Sequence, residues 1–250
     1  MSHSLHVVTY NIHKGFSHFN LRLALHDLRE QLHRMRPDIV FLQEVQGSHT
    51  RKAERLADWP KEAQHEFLAT EAFSDFAYGR NAVYPEGHHG NAILSRFPIL
   101  EWENQDVSAA PFEQRGLLHC VIAVPWLDAP LHCFNVHLAL FARGRRKQFS
   151  AIKARIERLV PDGAPLIIAG DFNDWRAEAC HLLAKDLGLK EAFGLTQGEP
   201  ARSFPSALPL LRLDRIYVRG LHVKRADVLC GEPWSRISDH AALSATLTPA

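Results

Sequence analysis

Short apolar runs that end abruptly on a carboxylate or a carboxamide constrain this chain more than any other feature. Leu5–Tyr10 alternates, is rich in β-branched residues and leads into Asn11; Ile39-Val40-Phe41-Leu42 leads into Gln43-Glu44; Leu166-Ile167-Ile168-Ala169 leads into Gly170-Asp171. Runs of this length, with these residue types and flanked by turn formers, predict buried strands rather than helices. Between the first two lies a different period. Leu21, Leu25, Leu28, Leu32 and Met35 recur at helical spacing, with Asn20 placed to cap them and Pro37-Asp38 to stop them. The chain therefore opens strand, helix, strand.

The middle is rich in strands. Phe76–Val83, Asn91–Ser95, Ile99–Val107, Leu117–Val124 and Leu131–His137 are separated by Pro, Gly and Asp turns. A helix is expected from about Arg145 to Val160, with Ile152, Ile156 and Leu159 on one face, and another after Trp175 to about Leu187. Strands near Arg215–Val218, His222–Leu229 and Ala241–Leu247 complete the chain. Many strands with a few helices between them predict two packed sheets with helices outside. At 250 residues, with no repeat, linker or low-complexity tract, one domain over residues 1–250 is the expectation.

Charge narrows the function. Lys and Arg number 29 against 28 Asp and Glu, a net charge of +1. A protein that holds a polyanion by bulk charge is usually more basic, so any phosphate-handling site has to be local. Cys120, Cys133, Cys180 and Cys230 form no CxxC pair, which fits reduced thiols in a cytoplasmic protein better than a disulfide framework or a zinc ribbon. The start, MSHSLHVVTYN, lacks the layout of a signal peptide, and no stretch has the apolar length of a membrane span.

Polar residues gather at strand ends, where a rigid scaffold presents functional groups. Asn11, Glu44, Asn135 and His137, Asp171 and Asn173, Asp214, and the run Ser238-Asp239-His240 all occupy such positions. Glu44, Asp171 and Asp239 are hard oxygen donors and Asn11 and Asn173 neutral ones, a set that suits Mg²⁺ or Mn²⁺ better than zinc. His240 suits a base or a transition-state contact, with Asp214 fixing its tautomer. Asp171 and Asn173 stand two apart, on one face of an extended chain. Bland readings compete. Asp171 can cap a helix, Asp214 can shape a turn with Arg215, and Ser238 reads best as a turn residue. Trp175 and Phe112 can pack or stack on a base. Arg143, Arg145, Arg146 and Lys147 form either a solvated helix start or a phosphate contact.

Taken in order, Thr9-Tyr10-Asn11, Leu42-Gln43-Glu44, Asn135-Val136-His137, Gly170-Asp171-Phe172-Asn173, Leu213-Asp214-Arg215-Ile216 and Ser238-Asp239-His240 resemble the motifs of the endonuclease/exonuclease/phosphatase superfamily. Its members include DNase I-like and exonuclease III-like nucleases, bacterial sphingomyelinases and inositol polyphosphate 5-phosphatases. The resemblance spans residues 11–240 and implies a DNase I-like, four-layer α/β/β/α sandwich of two mixed sheets flanked by helices. It further implies Glu44 as the principal ligand of Mg²⁺ or Mn²⁺, assisted by Asn11 and Asp239. Asp171 would orient or deprotonate the attacking water and Asn173 hold a phosphate oxygen. His240 would contact the scissile phosphate, backed by Asp214, with His137 helping to protonate the leaving oxygen and Arg115 binding phosphate. Two departures stand out: His13 and His137 take places where abasic-site nucleases often carry Asp and Tyr, and both lean away from dedicated abasic-site repair. The expected activity is hydrolysis of a phosphodiester in nucleic acid, DNA first. A phospholipid head group or small phosphoester is the alternative, and a non-catalytic binding protein of the same fold a more distant one.

Overall fold

A computed structural model describes residues 3–20, 22–110, 112–177 and 184–250. Two six-stranded sheets stack face to face. The first runs β11 (Leu221–Leu229), β12 (Ala242–Pro249), β1 (Leu5–Asn11), β2 (Ile39–His49), β4 (Gly87–Ser95), β3 (Asp75–Tyr84). The second runs β5 (Ile99–Asp106), β6 (Gly116–Ile122), β7 (Leu131–His137), β8 (Leu166–Asp171), β10 (Asp214–Arg219), β9 (Lys190–Glu191). Helix α1 (Leu25–Met35) connects β1 to β2, and α4 (Ala142–Leu159) connects β7 to β8. These two connections join the parallel pairs of the sheets, while the other pairings are antiparallel.

The period-two alternation of the strands builds three cores at once. Val7, Ile39, Phe41, Ile167 and Ala169 point between the sheets. Their neighbours Val8, Val40 and Leu42 point the other way, against Leu25, Leu28 and Leu32 of α1. Leu166 and Ile168 meet Phe149, Ile152 and Ile156 of α4. A strand covered on both faces has no solvated side, which explains its unbroken apolar sequence. Burying each such side chain contributes roughly 1.5–3 kcal/mol.

Several expectations need correction. The strand at Ile39 does not end at Glu44; β2 continues to His49 past a register shift between Leu42 and Val45, with Glu44 at φ 57°. Asn20 does not cap α1, whose N-cap is Ala24; Leu21 lies outside the described residues. The helix expected after Trp175 falls mostly outside them too, although residues 184–187 are helical, and Cys180 lies outside as well. Three short helices carried too little periodicity to be read: α2 (Thr50–Arg55), α3 (Gln64–Ala69) and α5 (Ala192–Gln197).

Asn135 is also reassigned. Fully buried, it ties the sheets together: its Nδ2 donates to the carbonyls of Leu42 (2.9 Å) and Ala92 (2.8 Å), and its Oδ1 accepts from Gln43 Nε2 (2.8 Å). It is a structural cross-link beneath the strand ends.

Candidate active site

Register places the polar residues in rows. In the second sheet His137 is paired with Asp171 across β7 and β8, and Asp171 with Asp214 across β8 and β10. In the first sheet Asn11 is paired with Gln43 across β1 and β2. Both parallel pairs end at the same edge of the sandwich, so their C-terminal residues meet there. The close approach of β7 and β8 depends on Gly170, at φ 145°, where a Cβ would lie 2.0 Å from the Val136 carbonyl oxygen.

Asp171 is the hub. Its Oδ2 accepts from Asn11 Nδ2 at 3.1 Å, joining the two sheets, and lies 3.6 Å from His137 Nε2 and 3.8 Å from His240 Nε2. Its Oδ1 accepts the backbone N–H of Asn173 at 2.9 Å. Asn173 is therefore not the next outward residue of an extended strand. It sits at φ 49°, in a turn folded back onto Asp171, and its Nδ2 donates to the Leu138 carbonyl at 2.9 Å. His240 is set by Asp214: Nδ1 donates to Asp214 Oδ2 at 2.8 Å, which leaves Nε2 facing Asp171. The Phe204 ring tilts against the imidazole with centroids 5.1 Å apart.

The electrostatics follow from burial and from crowded carboxylates. Burial, with the charge of Asp214, pushes the Asp171 carboxyl up to about 6 against the opposing pull of His240, Asn173 and Asn11. Burial alone would lower His240, but the charge and hydrogen bond of Asp214, with Asp171 and Asp239, outweigh it and push the imidazole up to about 10. His240 is thus an imidazolium at neutral pH, a donor rather than a base. His137 goes the other way: burial, then the charges of Arg115 and His240, hold it well below the usual histidine range. A neutral His137 carries one ring N–H to donate and one ring nitrogen to accept a hydrogen bond.

A cavity of about 330 Å³ opens on this edge and is lined by Asn11, Glu44, Arg115, His137, Asp171, Asn173 and His240. Asp214 stands behind His240. Asp239 does not line the cavity; its Oδ1 lies 3.7 Å from His13 Nδ1 and 3.3 Å from Ser238 Oγ. Ser238 shapes the turn, its hydroxyl donating to the Asn11 carbonyl (2.7 Å) and accepting from His240 N (3.3 Å). Arg115 is held at the cavity wall by the Leu138 carbonyl and by Glu113, both at 3.3 Å. Of the basic run, Arg145 is buried, bonded to the carbonyls of Ala139 (3.3 Å) and Leu140 (2.6 Å) and packed over Trp175. It serves neither of the roles weighed for it, because its charge is spent on the loop beneath the site. Leu140, Trp175, Phe204, Leu211 and Leu213 supply an apolar side to the cavity. Leu140, Phe204 and Leu211 escaped sequence reading, since they come from loops without period.

The donors fit a hard divalent cation. Asp171 and Asp214 crowd one imidazolium, Glu44 lines the same cavity, and Asp214 Oδ1 is buried with no hydrogen-bond partner among the described residues. Ligand atoms of Asp171, Asp214 and His240 lie within 4.8 Å of one another. Among the described residues Asn11 Oδ1 accepts only the His13 N–H, at 3.1 Å, and keeps a lone pair.

Comparison with known proteins agrees with this geometry. The profile of the Endonuclease/Exonuclease/phosphatase family matches residues 8–240. The chain is 48% identical over 244 residues to the uncharacterized protein YbhP of Escherichia coli K12, covering 98% of this chain and 96% of that one. Its fold is similar to D. rerio TDP2 complexed with single-strand DNA product (TM-score 0.71, 19% identity, 98% of this chain and 99% of that one). It is similar also to a mannosyl-6-phosphatase of Bacteroides thetaiotaomicron (TM-score 0.73, 18% identity, 98% of this chain and 99% of that one). The chain belongs to the endonuclease/exonuclease/phosphatase family.

Proposed function

We propose that this protein is a divalent-metal-dependent phosphodiester hydrolase whose substrate is nucleic acid. The observation that carries the reading is the convergence on Asp171 Oδ2: Asn11 and His240 reach it from the first sheet, His240 from the turn before β12, and His137 from the second, with Asp214 behind His240.

Each residue has a task. Asp171, with its carboxyl near 6, takes a proton from water at Oδ2, held in line by the Asn173 N–H on Oδ1 and by Asn11. His240 donates from Nε2 to a phosphoryl oxygen, its charge maintained by Asp214. His137 and Arg115 complete the donor wall around the phosphate. Glu44 and Asn11 would hold the cation, joined by Asp239 only if its turn swings toward the cavity. When bound, Mg²⁺ or Mn²⁺ neutralises charge developing on the phosphoryl oxygens.

A second reading, a phospholipid or small phosphoester as substrate, is favoured by the apolar side of the cavity. One panel separates them: bis-p-nitrophenyl phosphate, a single-stranded oligonucleotide and phosphatidylglycerol vesicles, each with Mg²⁺, Mn²⁺ or EDTA. Cleavage of the oligonucleotide, lost in EDTA and in Glu44→Gln, is expected. Cleavage of lipid or bis-p-nitrophenyl phosphate with no action on the oligonucleotide would select the second reading. EDTA-resistant activity would overturn both.

A further inference from the structure

The turn that follows Asn11 is bent against its own preference. His13 at φ 45° and Lys14 at φ 56° are consecutive non-glycine residues in left-handed conformation, followed by Gly15 at φ 81°. Such residues persist only where the surroundings impose them, and they gather at functional sites. Here the agent is Gln64 of α3, itself buried. Its Nε2 donates to the Lys14 carbonyl at 2.9 Å and its Oε1 accepts from Gln46 N at 2.8 Å. A Cβ at Gly15 would lie 2.6 Å from that same Nε2. A bend imposed in this way has a product.

That product is the Lys14 ammonium. The residue is half-buried, and no hydrogen bond or ion pair holds its ammonium among the described residues. Lys14 stands three residues past Asn11, which lines the cavity, and Gln64 ties its carbonyl to Gln46, two residues past Glu44 of the cavity wall; its charge acts on His137, His89 and Lys52. Lys52 is fixed there as well. Its Nζ donates to Gln46 Oε1 at 2.9 Å and lies over the rings of Phe16 (4.3 Å) and Trp59 (5.7 Å). Gln46 is anchored in turn to the Tyr84 hydroxyl at 2.8 Å. Lys52 makes no salt bridge among the described residues, although Glu44 is near enough to act on it. Two ammonium groups are thus held within electrostatic reach of each other, near a phosphate-binding cavity, and neither forms a salt bridge among the described residues. An anion bound between them removes that repulsion.

We propose that Lys14 and Lys52 form a subsite for a second phosphate group, so that the preferred substrate is a phosphodiester carrying a further phosphate one sugar away. This rests on the phosphodiesterase reading above and sharpens it. The test uses thymidine 5′-(p-nitrophenyl phosphate) with and without a 3′-phosphate, with Mg²⁺ or Mn²⁺. In the wild type the 3′-phosphate should lower KM about tenfold or more, the scale of a charged hydrogen bond. Lys14→Gly should abolish that advantage while Tm stays level or rises, because glycine accepts a positive φ. Lys52→Gln, outside the strained turn, should abolish it independently and decides the matter if the first variant fails to fold. Each variant should also flatten the salt dependence of KM for the phosphorylated ester by about one in log–log slope. A wild type indifferent to the 3′-phosphate, or variants that keep the preference, would overturn the subsite and leave the hydrolase reading standing. A wild type inactive on both esters would overturn both.

Discussion

Asp214→Asn isolates the interaction that defines His240. The substitution keeps the shape but removes the negative charge 2.8 Å from Nδ1. In the wild type the imidazole rises from 6.5 to about 10 although burial opposes it, and Asp214 is the largest of the contributions that raise it. A rise of that size corresponds to about 5 kcal/mol favouring the protonated form, to order of magnitude. Without the Asp214 charge, burial dominates and His240 becomes neutral at pH 7. The sign for stability follows. A group raised on folding contributes fully below its unfolded pKa, near 6.5, and loses the contribution as pH climbs toward 10. The wild type should therefore lose stability between those limits, and Asp214→Asn should lose much less. Imidazole NMR titration of the metal-free protein reads the charge, and urea unfolding at pH 7 and 9.5 reads the linkage. Turnover should fall about a hundredfold or more, as for loss of a positioned acid–base group. A His240 still charged at pH 8 in Asp214→Asn, with wild-type turnover, refutes the reasoning.

Three further outcomes are expected. Gly170→Ala forces a Cβ to 2.0 Å from the Val136 carbonyl and should destabilise by about 3 kcal/mol or more, or abolish folding, as read by urea denaturation. Asn135→Leu strips the donors from the Leu42 and Ala92 carbonyls; a loss of about 2–5 kcal/mol is expected, and a loss near zero would remove Asn135 as the inter-sheet tie. His119, lowered to about 4 chiefly by burial and stacked on Phe134, must release its proton on folding, so stability should fall as pH drops from 6.5 toward 4; His119→Gln should flatten that limb in a pH series of thermal melts.

Most of the strands were legible because burial on both faces leaves a local mark: Leu131–His137 is read to the residue, and Leu166–Ala169 falls short only of Gly170 and Asp171, which the ladder includes. The short helices α2 and α3 left no such mark, since six residues hold less than two helical turns. At the site, residue type was legible but role was not. Asn135 and Asp171 both follow buried runs and both are polar, yet one cross-links the sheets and the other heads the cavity. Arg145 and Arg115 are both basic and near the site, yet the first is consumed by backbone carbonyls.

The sequence by itself determined the two-sheet architecture and the chemical character of the edge residues, because strand period and residue type are local properties. Only the tertiary structure decided charge and partnership. The parallel registers bring Asn11 and Asp171 to one edge from opposite sheets, and burial with crowding then makes His240 a cation and His137 neutral. Those states depend on distances between residues far apart in the chain, and no local pattern encodes such distances.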